Sequence, residues 1–315
     1  MSDLKKYYEL KKTSSSQYKN FLKSLSNKTT SRDFFSLSNG ALEPERQKLH
    51  KHIIDKYIKK YSSQTKPYIH FVLGSIGSGK TSLKDAVIKK EEIKSFLYIN
   101  FDELKKQLPK YEILKKLNPR KAAHFIQSES AKLAGVLYRK AIKQKINIIY
   151  EKNIRLNKEG GLHLISEMKT AFQKNYNVSI HVVFLNSYQE AWKRVKLRYE
   201  KIKRYVPKQY VKDTYENLFP NLNILLRKNF NKEYLVKFWY NGTWDKNFNM
   251  LENTYMIGFI SFKKLGHLLD KEVSKDFFTV WSGIDHNNRK YYGGFSKMVL
   301  FLPKSVQRQL MRVTH

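Results

Sequence analysis

The sequence predicts an α/β fold: a three-layer parallel sheet with helices on both faces, followed by a mixed or β-rich accessory region. Two observations predict the sheet. Short apolar runs rich in β-branched and aromatic residues alternate with stretches of helical periodicity through the middle of the chain. Between the first such run and the first such helix lies Gly74-Ser75-Ile76-Gly77-Ser78-Gly79-Lys80-Thr81, which satisfies G-x-x-x-x-G-K-[ST] at every fixed position. A third observation, the aromatic and turn-rich texture after Asn223, predicts the appended region.

Residues 1–42 are polar, basic and rich in Ser and Lys, and read as an irregular or partly helical extension. From Glu43 to Tyr61 the residues Leu49, Ile53, Ile54, Tyr57 and Ile58 fall close to helical spacing, and "SSQTKP" ends that helix. The main domain is expected over 43–225. Tyr68–Leu73, Phe96–Asn100, Ile146–Tyr150 and Ser179–Leu185 predict strands; Thr81–Lys90, Arg120–Gln144 and Gly160–Lys174 predict the helices between them. In such sheets ligands sit beyond the C-terminal strand ends, so chemistry is sought just after Leu73, Asn100, Tyr150 and Leu185. Region 226–315 is the accessory part, with strands expected in Tyr234–Phe248 and Thr254–Phe262 and a hairpin turn at Asn241-Gly242.

Composition narrows the class. A hydrophobic content of 41% excludes global disorder. The balance of 61 Lys and Arg against 27 Asp and Glu gives +34, a field that attracts polyanions such as nucleic acid. A codon bias toward Lys, Asn, Ile and Tyr yields the same charge with no selected partner. The absence of cysteine excludes disulfides, thiolate-bound zinc and thiol nucleophiles. No apolar run approaches the roughly 18 residues of a membrane helix, and the N-terminus lacks the apolar core of a signal peptide. A soluble, cytoplasmic protein is the expectation.

The glycine-rich loop is the strongest signal. Gly74, Gly77 and Gly79, with Ser75 and Ser78, let successive backbone N–H groups turn toward a phosphate, and the helix opening at Lys80-Thr81-Ser82 adds its positive end. Lys80 is expected to reach the β- and γ-phosphates of ATP or GTP, and the Thr81 hydroxyl to ligate Mg²⁺. No N-K-x-D guanine reader is found, and the strand ending "INIIYEKN" carries one carboxylate, Glu151, which favours a kinase over a motor ATPase.

Asp102 follows the second strand, where a carboxylate beside the phosphate loop accepts the proton of an acceptor hydroxyl. "DELKKQL" also permits it to cap a helix. Glu151 is suited to acceptor hydroxyls or to Mg²⁺-bound water. Glu129, within a helix, reads on its own as a solvated face. After the last strand, Arg194 and Arg198 share a helical face and Arg204 ends the same basic stretch, a source of guanidinium clamps for a transferring phosphoryl group.

Taken together, the phosphate loop, "INFDELKKQLPKYEIL", the helix bearing Glu129, "IIYEKNIR" and "LRYEKIKRYVPK" resemble the zeta-toxin family of P-loop kinases over about Glu45–Asn223. The resemblance implies phosphorylation of the 3′-hydroxyl of UDP-N-acetylglucosamine from ATP or GTP with Mg²⁺. It implies Asp102 as base, Lys80, Arg198 and Arg204 on the phosphates, and Glu129, Glu151, Asn153 and Arg155 around the sugar nucleotide. It also implies an antitoxin as protein partner. Asn153 stands where the family has Thr, and the segment between Arg198 and Arg204 is shorter than the family's. A competing reading is a polynucleotide kinase whose basic surface and Trp239, Tyr240 and Trp244 hold a strand. Another is a non-catalytic protein that binds nucleotide and nucleic acid on a kinase fold.

Overall fold

The protein is described from a computed structural model, over residues 7, 10, 14–26, 29–156, 160–185, 187–241, 255–265 and 268–273. Helices α1 (Ser15–Ser24), α2 (Ser31–Phe34) and α3 (Pro44–Ile58) precede strand β1 (Tyr68–Gly74). There follow α4 (Lys80–Lys90), β2 (Leu97–Ile99), α5 (Phe101–Gln107), α6 (Tyr111–Leu117), α7 (Pro119–Lys143) and β3 (Ile148–Lys152). Then come α8 (His163–Gln173), β4 (Asn177–Phe184), α9 (Tyr188–Ile202), α10 (Lys208–Glu216) and α11 (Leu218–Leu226). The series ends with β5 (Tyr234–Tyr240), β6 (Tyr255–Leu265) and β7 (Leu268–Val273). Among the described residues no helix is long and apolar enough to cross a membrane.

The seven strands form one sheet in the order β2-β3-β1-β4-β5-β6-β7. The first five are parallel, as the α/β alternation predicts, and β6 and β7 continue the sheet antiparallel. Two details depart from the sequence reading. β3, not β2, pairs with β1, because the three-residue β2 lies at the sheet edge while β3 is buried along most of its length. The strand flanking the phosphate loop is therefore the one that carries Glu151, with Val72 opposite Glu151 and Leu73 opposite Lys152. Second, β5 pairs in parallel with β4, so the sheet runs past the expected boundary at 225. β5 pairs antiparallel with β6 in the register Tyr240↔Tyr255, and the turn expected at Asn241-Gly242, with the strand expected to run on to Phe248, reaches into residues 242–254, which lie outside the described residues.

The chain divides into two compact units. One comprises Met1–Ser62, Ile99–Ala141 and Lys196–Pro207. Within the first 42 residues, where an irregular or partly helical extension was expected, the described residues include the helices α1 and α2 and several buried aromatic rings. Tyr7, Phe21, Phe35 and Phe125 are buried and meet at their ring edges, with Tyr7 and Phe35 centroids 5.0 Å apart and Phe21 and Phe125 5.8 Å apart. The N-terminal aromatics are spaced irregularly, so no single period announces their burial. Each such ring contributes roughly 1.5–3 kcal/mol when removed from water.

The other unit comprises Ser63–Tyr98, Ile142–Val195 and Lys208–His315 and holds nearly all of the sheet. Its core beneath the phosphate loop joins Val72 of β1, Leu83 and Val87 of α4, Ile149 of β3, Val183 of β4 and Trp239 of β5. Trp239 is buried and donates its indole N–H to His181 Nδ1 at 3.2 Å. That packing removes Trp239 from the base-stacking role it has in the competing polynucleotide-kinase reading. Trp244 lies outside the described residues.

Candidate active site

The loop between β1 and α4 is built by its glycines. Gly77 and Gly79 have φ of +85° and +90°, in the left-handed region that glycine enters without steric cost. A Cβ on Gly77 would fall 2.5 Å from the Ala191 carbonyl oxygen, and one on Gly79 would run into the Asn241 side-chain amide. Gly74 is equally hemmed in, by Ser78 Oγ and the Val183 carbonyl. The Lys80 ammonium folds back to donate to the carbonyls of Gly74 (3.1 Å) and Ser75 (2.9 Å). Ser78 Oγ donates to the Ser75 carbonyl at 2.8 Å. The Ser75 hydroxyl is buried without a hydrogen-bond partner among the described residues. Thr81 stands exposed in the first turn of α4, and Ser82 is half-buried beside it. A cation, an accessible hydroxyl, an orphaned hydroxyl and a helix N-terminus fit a nucleotide phosphate with its Mg²⁺.

In the same unit, Glu151 receives a hydrogen bond from the Tyr98 hydroxyl. Asn153 Oδ1 is buried with no partner among the described residues, two positions beyond Glu151. Arg155 is exposed, its guanidinium 4.8 Å above the Tyr210 ring and 3.0 Å from that hydroxyl. Arg194 is committed to Glu190, one turn back on α9.

The first unit holds the charged cluster around Asp102. Asn100, not Asp102, caps α5: its Oδ1 accepts from the backbone N–H of Asp102 (2.7 Å) and of Glu103 (3.3 Å). The capping alternative for Asp102 is thereby corrected. Its carboxylate instead meets Arg204 at 2.6 Å on Oδ2 and the Lys105 ammonium at 3.3 Å on Oδ1. Burial pushes the Asp102 pKa up, but Arg204, Lys105 and Arg198 outweigh it and hold the group near 2. Arg198 is exposed on α9, and Arg204 is half-buried after that helix ends. Asp102, Arg198 and Arg204 are thus brought together from separate segments. Lys105 joins them unanticipated, although its place three residues after Asp102 on a helix was readable.

Glu129 corrects the expectation of a solvated helix face. It is 1% exposed, and its carboxylate accepts from Arg46 Nε (2.7 Å) and Nη2 (2.9 Å) and lies 2.6 Å from His50 Nε2. The Arg46 guanidinium also lies 4.0 Å from the Phe35 ring centroid. Burial raises the Glu129 pKa, yet the bonds from His50 and Arg46 bring it to about 2. Both carboxylate oxygens are occupied by this buried clamp.

A family model described as zeta toxin matches residues 52–237. The chain belongs to the zeta toxin family. No curated protein matches its sequence. Among solved structures, one from the PezAT chromosomal toxin–antitoxin system of Streptococcus pneumoniae is 16% identical, with a TM-score of 0.51, 65% of this chain and 81% of that one covered. The AvrRxo1-ORF1:-ORF2 complex is 13% identical, with a TM-score of 0.52, 91% and 93% covered. At these identities the likeness is one of fold, and family membership rests on the matched segment, which includes the loop, Asp102, Glu129, Glu151 and both arginines. Asn241 lies beyond that segment.

Two residues that touch the loop left no local trace in the sequence. Thr214 of α10 accepts from the Ile76 backbone N–H at 3.1 Å, and Asn241 donates to the Ser78 carbonyl at 2.8 Å, across 138 and 163 residues of chain.

Proposed function

We propose that this protein is a phosphotransferase that moves the γ-phosphoryl group of ATP or GTP onto a hydroxyl acceptor. The loop geometry carries this reading: left-handed Gly77 and Gly79 lead into α4, with Lys80 and Thr81 at its start. Gly74–Ser82 hold the phosphates, Lys80 leaving the Gly74 and Ser75 carbonyls for the β- and γ-oxygens. Thr81 would hold Mg²⁺, with Glu151 placed to act on it through water, and the ion would supply positive charge against that of the phosphates. Asp102 accepts the acceptor proton, and Arg198 and Arg204 steady the transferring group.

The acceptor we put first is the 3′-hydroxyl of UDP-N-acetylglucosamine, supported by family membership. Glu151, Asn153 and Arg155 are its proposed contacts, the unpartnered Asn153 oxygen being suited to a sugar hydroxyl or amide donor. Glu129 is given a structural part within its own unit in place of a sugar contact, since Arg46 and His50 take up its carboxylate. That one structural neighbour comes from a chromosomal toxin–antitoxin system supports an antitoxin as partner. The test is transfer from γ-labelled ATP with UDP-N-acetylglucosamine, a 5′-hydroxyl oligonucleotide or no acceptor, for the wild type and Lys80→Ala. Labelled sugar nucleotide in the wild type alone is expected. Label on the oligonucleotide only would replace this acceptor by a polynucleotide end, and no label anywhere would sink the phosphotransferase reading.

A further inference from the structure

A phosphate loop must turn its N–H groups toward the ligand, and its carbonyls, turned away, then need donors of their own. Lys80 serves the carbonyls of Gly74 and Ser75 in this structure, and it is the group that nucleotide would draw off. The Ser78 carbonyl has a different donor, the side-chain amide of Asn241 at 2.8 Å. Because a carbonyl can only accept, the amide must present its nitrogen there.

Asn241 is held in place by the sheet. Gly74 pairs with Val183 and Val183 with Trp239, so the residue two positions after Trp239 emerges at the strand end from which the loop also emerges. Its backbone N–H continues the β4–β5 ladder onto the Phe184 carbonyl at 3.4 Å. The side chain is wholly buried and fills the space a Cβ on Gly79 would need.

We propose that Asn241 is a positioning residue of the nucleotide site, contributed by the first segment after β5, which pins the Ser78–Gly79 peptide so that the loop keeps its phosphate-binding shape when Lys80 leaves. This rests on the nucleotide-binding reading above. Asn241 does not touch the phosphates; it acts through Ser78 and Gly79.

The experiment is titration of full-length protein with Mg²⁺-ATP and Mg²⁺-GTP for wild type, Asn241→Leu, which keeps the size and removes the donor, and Asn241→Ser, which restores a shorter donor. The melting temperature without nucleotide is measured alongside. Losing one such hydrogen bond is expected to raise the Kd of Asn241→Leu roughly tenfold, with Asn241→Ser between it and wild type. A lowered melting temperature with Kd within about twofold of wild type would show a purely structural residue and overturn the proposal. Should both variants fail to fold, the side-chain amide of Asn241 is followed by ¹⁵N NMR in nucleotide-bound wild type. Slow solvent exchange there supports the pin, and exchange as fast as that of an exposed asparagine removes it. If wild type binds neither nucleotide, the functional reading and this proposal fall together; if wild type binds and Asn241→Leu binds equally, only this proposal falls.

Discussion

Arg204 and Asp102 stand 2.6 Å apart, the proposed phosphate clamp resting on the proposed base. With Lys105 on the other carboxylate oxygen, Asp102 is held ionised and oriented before any acceptor arrives. Asp102→Ala is therefore expected to lower phosphoryl transfer on the order of 10²–10⁴-fold while leaving ATP binding nearly intact. Parallel kcat and nucleotide Kd measurements check this. Loss of both together would assign Asp102 to folding or to the metal.

Lys105 is expected to set the charge state of that carboxylate. Removing a cation disfavours the ionised form, so Lys105→Gln should move the Asp102 pKa up from about 2 and shift the acid limb of the pH–rate profile toward neutrality. Lys105→Arg keeps the charge and should restore the wild-type profile. An unchanged acid limb in Lys105→Gln would separate Lys105 from the base.

The Arg46–Glu129–His50 clamp yields a prediction about stability. Glu129→Gln leaves the buried guanidinium without its counter-charge, which costs about 3–5 kcal/mol for a buried pair. Denaturant unfolding measures it. The folded fraction should retain the wild-type KM for nucleotide, and an altered KM at unchanged stability would contradict a structural role. In wild type the carboxylate pKa is depressed from its ordinary value of 4.5 to about 2, so its stabilisation is complete above about 4.5 and is lost as pH falls toward 2.

The imidazoles of His70 and His181 predict a second, separate pH window. His70 Nδ1 and His181 Nε2 are 2.9 Å apart inside the sheet. The Trp239 N–H requires His181 Nδ1 to accept, so His181 donates from Nε2 to His70 Nδ1 and both rings are neutral. Burial, with Lys237 opposing Glu91, lowers the His70 pKa from 6.5 to about 4, and burial holds that of His181 well below 6.5. The unfolded chain then binds more protons than the folded one between those values. Stability should be full above about pH 6.5 and decline as pH falls toward 4. Thermal melts across pH 4–7 should show this decline, reduced in His181→Gln; a flat profile in wild type would contradict the neutral pair.

Much of this was readable in one dimension. The period-2 and period-3.6 patterns and the glycine loop are local features, and they determined the parallel sheet, the position of the phosphate loop after β1 and the positions of Asp102, Glu151 and the arginines along the chain. Local patterns do not encode which strands become neighbours. That β3 rather than β2 flanks β1, and that β5 extends the parallel sheet, follow from the pairing of whole strands and the burial of both their faces. Partnerships across long stretches of chain were likewise decided only in three dimensions. Glu129 became a buried clamp because α3 brought Arg46 and His50 to it, Asp102 gained Arg204 from beyond α9, and Ser78 gained Asn241 from the end of β5. Each joins polar groups that burial left in need of a partner, a requirement the sequence contains as composition and the fold alone resolves.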